Sequence, residues 1–326
     1  MTKPQIDVSI VVPVFNGSGF IQRTIDALQL ESSNSIQVVF VDDCSSDDSL
    51  EKIQAGIETM TNAKVIALDR NGGVARARKH GVENSDGAFI WFVDADDSWK
   101  PGTATILFRD ARDSQVDVVI CGAQYVYGNG SKRTLHPRKL QGEMTGAEAF
   151  AALLSGEVKG HLWNKLFSKD LFIGLDYTSA RVHSDLAMVG QLLAAAHRVS
   201  VVDEILYSYE IRSGSIITSS KARTDSLNIV ENALEKSLSS LDEGRKMASL
   251  FTYFQHRFFI LSALKDSQSD AYDQETSTRL FRSARRRITW EGLFEMARRK
   301  DWKRGLALLA TKISPAGFKL SSRIGS

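Results

Sequence analysis

The feature that most constrains this chain is a regular alternation through its first third. Apolar runs rich in β-branched residues, at 8–14, 38–42, 64–68, 88–93 and 117–121, are separated by segments of helical periodicity near 19–28, 47–58, 74–83 and 102–112. Short apolar runs of this kind read as buried strands. Strands that alternate with helices build a mostly parallel sheet covered on both faces, an α/β fold. Local chemistry agrees: Ser45-Ser46-Asp47-Asp48 opens the second helical segment with a capping hydroxyl and early carboxylates, and Pro101 stands near the first position of the fourth.

After residue 121 the pattern changes. Residues 124–127 and 132–135 flank Gly128-Asn129-Gly130, which reads as a hairpin, and Thr145-Gly146-Ala147-Glu148 reads as a capping box. Short strands are expected near 162–167, 198–202 and 205–209, with a helix near 185–196. Beyond Thr218 only helices are expected. The organisation is therefore an α/β unit over 1–219, divided into halves 1–121 and 122–219, followed by a helical region 220–326.

Charge separates the same regions. The chain carries a net +2, but residues 276–326 hold 13 Lys/Arg against 3 Asp/Glu, leaving 28 basic and 36 acidic residues elsewhere. An acidic body with a basic end, and no nucleic-acid-binding motif, argues against a nucleic-acid partner. Within the basic end, Trp302, Leu306, Leu309 and Ile313 fall on one helical stripe among Arg298, Arg299, Lys300, Lys303, Arg304 and Lys312. Such a helix either lies in the headgroup layer of an anionic membrane or packs on the body with its cations extended into solvent. Cys44 and Cys121 stand in no metal-ligand spacing, there is no signal-peptide pattern, and no apolar run approaches the ~20 residues needed to span a bilayer. A cytoplasmic protein is expected, peripheral at the inner face of the plasma membrane if the basic helices bind it.

The chemistry-bearing feature is Phe92-Val93-Asp94-Ala95-Asp96-Asp97, three carboxylates at the end of an apolar run. In open α/β sheets ligands bind beyond the carboxyl ends of the strands, and hard oxygen donors there suit Mg²⁺ or Mn²⁺ bridging to phosphate. The alternative is an acidic turn in which Asp97 caps the next helix.

With these pieces in place, the first two-thirds or so of the chain resembles the inverting glycosyltransferases of family 2, which have the GT-A fold. The resemblance rests on Ser9-Ile10-Val11-Val12-Pro13-Val14-Phe15-Asn16, Val41-Asp42-Asp43-Cys44-Ser45-Ser46-Asp47, Asn71-Gly72-Gly73-Val74-Ala75-Arg76-Ala77-Arg78 and the Asp94-Ala95-Asp96 motif. It continues more weakly through Leu162-Trp163-Asn164-Lys165, Ser184-Asp185-Leu186, Tyr207-Ser208-Tyr209 and Arg212-Ser213-Gly214-Ser215. The resemblance implies metal-dependent transfer from a UDP-sugar to a glycan or lipid-linked acceptor, of the bacterial cell-surface polysaccharide type. Pro13, Phe15 and Asn16 would cradle the nucleotide, and Asp42 or Asp43 would accept the uracil imide while the other caps the following helix. Asn71 and Arg78 would reach base or diphosphate. Asp94 would contact the ribose beside Ala95, Asp96 would bind Mn²⁺ or Mg²⁺, and Arg212 and Ser215 would close over the diphosphate. Asp185 would be the general base. Trp163, Asn164 and Lys165 would serve the acceptor, with core packing the alternative for Trp163.

Two positions depart from the family pattern. Ser184 stands where a Glu is usual, and Cys44 replaces a Gly, so its turn is expected to form without φ > 0 and with altered local geometry. A nucleotidyltransferase is disfavoured because no Gly-rich loop with a basic residue follows the first strand, and a dehydrogenase because G-x-G-x-x-G is missing. The remaining alternative is a degenerate member that binds a nucleotide sugar, or acts as a scaffold, without turnover.

Overall fold

The computed structural model describes residues 5–31, 33–135, 140, 142–211, 223–315 and 318. The expected alternation forms β1 (Val8–Val14), α1 (Ile21–Glu31), β2 (Ile36–Asp42), α2 (Ser49–Ile57), β3 (Ala63–Ala67), α3 (Val74–Glu83) and β4 (Phe89–Phe92). These strands lie parallel in the order β3-β2-β1-β4, with Val14 opposite Asp42 and Val11 opposite Phe92. Successive residues of a strand point to opposite faces, and β1 feeds two cores accordingly. Val11 joins Val39, Val41 and Phe92 on one face, while Ile10 and Val12 join Phe40 and Trp91 on the other. Burial on both sides is why these runs read as continuously apolar.

The second half is β5 (Ser98–Trp99), α4 (Thr103–Ser114), β6 (Val118–Tyr127), β7 (Lys132–Leu135), β8 (Gly142–Thr145), α5 (Gly146–Ser155), β9 (Lys165–Ser168), α6 (Ser184–Ala195) and β10 (Arg198–Ile211). Here the sheet continues β4-β9-β6-β10-β5. The sheet is parallel in its first half and mixed in its second. β9 runs antiparallel to both β4 and β6, β10 is parallel to β6, and β5 and β8 are antiparallel to β10. The hairpin forms with Val126 opposite Lys132, and the capping box closes as Thr145 N–H donates to Glu148 Oε2 at 2.8 Å while Glu148 N–H donates to Thr145 Oγ1 at 3.2 Å. The strands expected separately at 198–202 and 205–209 are one strand. Its pairing with β6 skips between Val202 and Ile205 and again before Tyr207, so a bulge absorbs the polar Asp203-Glu204 that looked like a break.

The remaining described residues are helical: α7 (Thr224–Ser240), α8 (Ala248–Phe254), α9 (Leu261–Asp266) reached through a π-wound Gln255–Ile260, then α10 (Gln274–Arg286), α11 (Trp290–Arg298) and α12 (Trp302–Ile313). They divide by core. Leu227, Val230 and Leu234 of α7, with Phe251 and Phe254, complete the core of the α/β body. Ala284, Ile288, Met296 and Leu308 form a smaller cluster around α10–α12.

Candidate active site

Because β1, β2 and β4 are parallel, their carboxyl ends and the turns after them share one edge of the sheet. After β1 the chain reverses at Asn16, whose φ is +51°. Its amide Oδ1 accepts from Ser46 N–H at 2.8 Å, and its own N–H donates to Ser45 Oγ at 2.9 Å, tying the first turn to the second. Phe15 beside it is half exposed. Cys44 adopts φ +60°. The turn therefore keeps the left-handed conformation expected of a glycine, at a strain of about 1 kcal/mol, and the expectation of a turn without positive φ is corrected.

The two aspartates after β2 have different partners. Asp43 is buried, and its carboxylate accepts from Gly72 N–H at 2.8 Å and Gly73 N–H at 2.7 Å. Its carbonyl accepts from the Asn71 side-chain amide at 3.2 Å. Asp43 and Asn71 thus hold the glycine turn that aims α3. Asp42 is buried too, with Oδ2 accepting from Ser45 N–H at 3.1 Å, but its Oδ1 has no hydrogen-bond partner among the described residues. An unmet buried acceptor costs roughly 1–3 kcal/mol, which a donor on a ligand would relieve.

Arg78, expected to reach base or diphosphate, is buried and engages two carboxylates of the site. It lies on the buried stripe of α3 with Ala75, Gly81 and Val82 and is 2% exposed. Its guanidinium donates from Nη1 to Asp185 Oδ1 at 2.5 Å and from Nη2 to Asp94 Oδ1 at 3.2 Å, and stands 5.9 Å from the centroid of the Phe92 ring. Burial opposes its charge, but Asp185 and Asp94 outweigh that and hold its pKa above the ordinary arginine value. The neighbouring Arg76 turns out to Asp69 at 2.9 Å. One buried cation therefore joins two carboxylates far apart in sequence, each still about a quarter exposed.

The Asp94–Asp97 loop is held from three sides. Asp97 does not cap the next helix. It is buried and accepts from Tyr207 Oη–H at 2.9 Å and Glu210 N–H at 3.1 Å, both on β10. Burial, then the charges of Asp94 and Asp96, push its pKa well above the usual carboxylate range. Asp94 N–H donates to the Tyr207 hydroxyl at 3.3 Å. From α1, Arg23 donates to the Asp96 carbonyl at 2.8 Å and Thr24 Oγ1 to the Ala95 carbonyl. Arg23, Thr24 and Glu210 carry no local sign of this duty in the sequence. Tyr207 sat in the Tyr207-Ser208-Tyr209 match, where its alternation gave the only signal. Removal from water raises Asp94 to about 6, with Arg78 lowering it and Asp185 and Asp96 raising it.

Asp185 stands in the first turn of α6, after His183 in a left-handed conformation with φ +60°. The ring of His183 meets Phe258 edge-on at 5.2 Å. Trp163, Asn164 and Lys165, expected at the acceptor, are all buried, and Trp163 takes the core-packing alternative. Trp163 stacks between His161 and Tyr207, each at 4.6 Å, and so braces the tyrosine that holds Asp97. Asn164 donates to the Cys121 carbonyl at 3.0 Å. Lys165 Nζ donates to the carbonyls of Lys159 and His161 and to Asn164 Oδ1, at 2.7–2.8 Å, and burial lowers its pKa to about 7. Arg212 and Ser215 lie outside the described residues, four or fewer positions beyond the end of β10 at Ile211.

Among the described residues no group of three or more His, Cys, Asp or Glu side chains converges to hold a metal. Asp94 and Asp96, whose charges repel, still fit Mg²⁺ or Mn²⁺. Mg²⁺ takes one or two protein carboxylates and completes its shell with substrate phosphates and water, and Mn²⁺ shares its preference for oxygen donors.

The family model described as Glycosyl transferase family 2 matches residues 9–176. The glycosyltransferase GlyG of Streptococcus pneumoniae serotype 4 is 25% identical over 281 residues, covering 83% of this chain and 91% of that protein. Residues 1–349 of Staphylococcus aureus TarS, solved in complex with UDP-GlcNAc, superpose with a TM-score of 0.73 at 20% identity, covering 94% of this chain and 91% of that one. The mannosyltransferase PcManGT of Pyrobaculum calidifontis, in complex with GDP-Man and Mn²⁺, gives a TM-score of 0.54 at 14% identity, covering 94% and 86%. The two structural likenesses carry the fold, a central sheet flanked by helices.

Proposed function

The chain belongs to glycosyl transferase family 2, and from that premise we propose that it moves a sugar from a UDP-sugar to a hydroxyl of a glycan or lipid-linked acceptor, with inversion at the anomeric carbon. The observation that carries this reading is the Arg78 bridge. The guanidinium engages one oxygen of Asp94 and one of Asp185, and leaves Oδ2 of each without a hydrogen bond among the described residues. A donor-side carboxylate and a base are thereby set on a single rigid support, in the arrangement that transfer chemistry needs.

Asp185 takes the proton of the acceptor hydroxyl on its open oxygen as that hydroxyl attacks the anomeric carbon, and the bond from that carbon to the diphosphate breaks. Arg78 keeps the carboxylate aimed. The Tyr207–Asp97 contact and the Arg23 and Thr24 bonds hold the Asp94–Asp96 backbone still during the reaction, so little reorganisation is spent at the moment of transfer. Asp42 Oδ1 accepts the imide N–H of uracil, which would discriminate against cytosine, whose equivalent atom is an acceptor. Phe15 offers a face at the same strand ends. Mg²⁺ or Mn²⁺ held by Asp96, with Asp94 beside it, would supply positive charge where negative charge gathers on the departing diphosphate. The UDP-GlcNAc complex of TarS supports the UDP-sugar class of donor, and the Mn²⁺ complex of PcManGT supports the metal.

One observation favours a binding protein without turnover: Ser184 precedes the proposed base where the family pattern has Glu. Release of UDP from a panel of UDP-sugars, with Mn²⁺ or with chelator, separates the two. Metal-dependent release abolished in Asp185→Asn supports transfer. Tight UDP binding with no release by any donor, in the presence of candidate acceptors, supports the binding protein.

A further inference from the structure

α11 and α12 form an antiparallel pair. Lys312, near the end of α12, stands 5.3 Å from the ring centroid of Trp290, at the start of α11, and Gly305 of α12 lies against Met296 of α11. Each helix buries one stripe, Gly292, Glu295 and Met296 on α11 and Leu308 and Thr311 on α12, and turns the opposite stripe to solvent. That outer stripe is apolar. Trp290, Phe294, Trp302, Leu306 and Ile313 are 58–71% exposed, and they make five of the eight exposed large apolar side chains among the described residues. The stripe read from the sequence on α12 therefore faces away from the body, with only Leu309 half buried. A helix that packs on a body normally does the reverse, and large apolar side chains concentrated on the outer side of two packed helices mark a surface with a partner.

Charge selects that partner. Of the three carboxylates after residue 276, Glu295 is buried against Arg298 and Arg299 and Asp301 is turned in on Arg304, so only Glu291 is exposed. Lys303 is exposed on the next helical position after Trp302, and Arg279, Arg282 and Arg286 outnumber Glu275 in a groove along the neighbouring α10. None of these four cations is in an ion pair among the described residues. Tryptophan and phenylalanine beside an excess of exposed Lys and Arg are the composition of a helix that lies at a lipid–water interface: amphipathic rings at headgroup depth, cations on the phosphates.

We propose that the outer face of α11 and α12 seats this protein on the surface of an anionic lipid bilayer. The face belongs to helices with their own small core, so the proposal stands apart from the transfer reading. A glycosyltransferase that failed to bind vesicles, or a vesicle-binding protein that failed to release UDP, would each decide one question only.

The test uses the full chain and sedimentation with vesicles of phosphatidylcholine alone or mixed with phosphatidylglycerol, at low and high salt. Binding to the anionic vesicles is expected, with a blue shift of tryptophan emission and weakening by salt. Trp302→Ser/Leu306→Ser and Trp290→Ser/Phe294→Ser should each reduce binding about tenfold or more, and Lys303→Glu/Arg282→Glu several-fold. Melting temperature and UDP affinity should stay unchanged in all three, which keeps loss of folding from passing as loss of docking. Equal binding to neutral vesicles, or apolar-face variants that bind like the parent, would overturn the proposal. So would light scattering that finds a dimer dissolved by the same substitutions and untouched by vesicles, which would make a second copy the occupant.

Discussion

At the carboxyl edge of β1, β2 and β4, charged side chains are drawn inside the protein. Arg78, Asp43 and Asp97 are each about 2% exposed, and each finds its partners within the molecule. On α11 and α12 the opposite holds: two tryptophans, a phenylalanine, a leucine and an isoleucine face water while Thr311 and Glu295 are inside. Both arrangements cost free energy in an isolated chain. The first recovers it through internal hydrogen bonds and ion pairs, which also freeze the geometry. The second recovers it only when something covers the face. The comparison separates a site prepared in advance from a surface that waits for its partner.

The largest way to break that contrast is to remove the cation from the buried side. Arg78→Met should leave Asp94 and Asp185 repelling each other, lowering stability by about 3 kcal/mol in urea titration and UDP release by about a thousandfold or more. Arg78→Lys should recover part of the stability and little of the activity, because a single ammonium cannot hold two carboxylates in a fixed fork. Next is Asp185→Asn, expected to keep the fold and UDP affinity while slowing UDP release by roughly 10²–10⁴. A variant that retained full turnover would move the base elsewhere.

A pH experiment probes the aromatic bracing beneath the site. Burial, with Lys165 nearby, pulls His161 down to about 4, and its Nε2 lies 2.9 Å from the Tyr125 hydroxyl. The folded state therefore binds fewer protons than the unfolded state between pH 4 and about 6.5. Stability should fall as pH drops through that window, by about 3 kcal/mol in total. His161→Gln should flatten that part of the profile in thermal melts taken from pH 7 to 4; an unchanged slope would assign it to other groups. Smaller again is Tyr207→Phe, which deletes the hydroxyl that donates to buried Asp97 and accepts from Asp94 N–H. It should cost about 1–1.5 kcal/mol and weaken metal-dependent UDP binding in calorimetry more than metal-free binding. The smallest effect sharpens the other side of the contrast. Trp290→Ser/Phe294→Ser should change stability in solution by less than about 0.5 kcal/mol, because both side chains are largely exposed and Trp290 gives up only its contact with Lys312.

Much of the sheet was legible because its signals are local. β1, β2 and β4 announce themselves as buried runs, Thr145 and Glu148 as a capping box, and Asn129 with its flanking glycines as a hairpin turn. Where a signal depends on a distant partner, the reading failed or stayed open. The polar Asp203-Glu204 looked like a chain break but is a bulge, since only the pairing with β6 shows the strand continuing. Trp163 and Lys165 look like sugar-binding residues in any list of side chains, yet the stack with Tyr207 and the carbonyls around Nζ put them below the site.

The order of the residues alone determined an α/β fold, carboxylates at a strand end, and a basic helical end with an amphipathic stripe, because periodicity and composition are properties of neighbours along the chain. Tertiary structure alone decided three further things. It placed Arg78 between Asp94 and Asp185, 107 positions from the latter. It gave Asp43 to the glycine turn and left Asp42 with a buried oxygen that has no partner among the described residues. It turned the stripe of α12 outward. Each is a choice among partners that a one-dimensional pattern leaves equivalent, and each is made by which groups the packed chain can bring within bonding or contact distance.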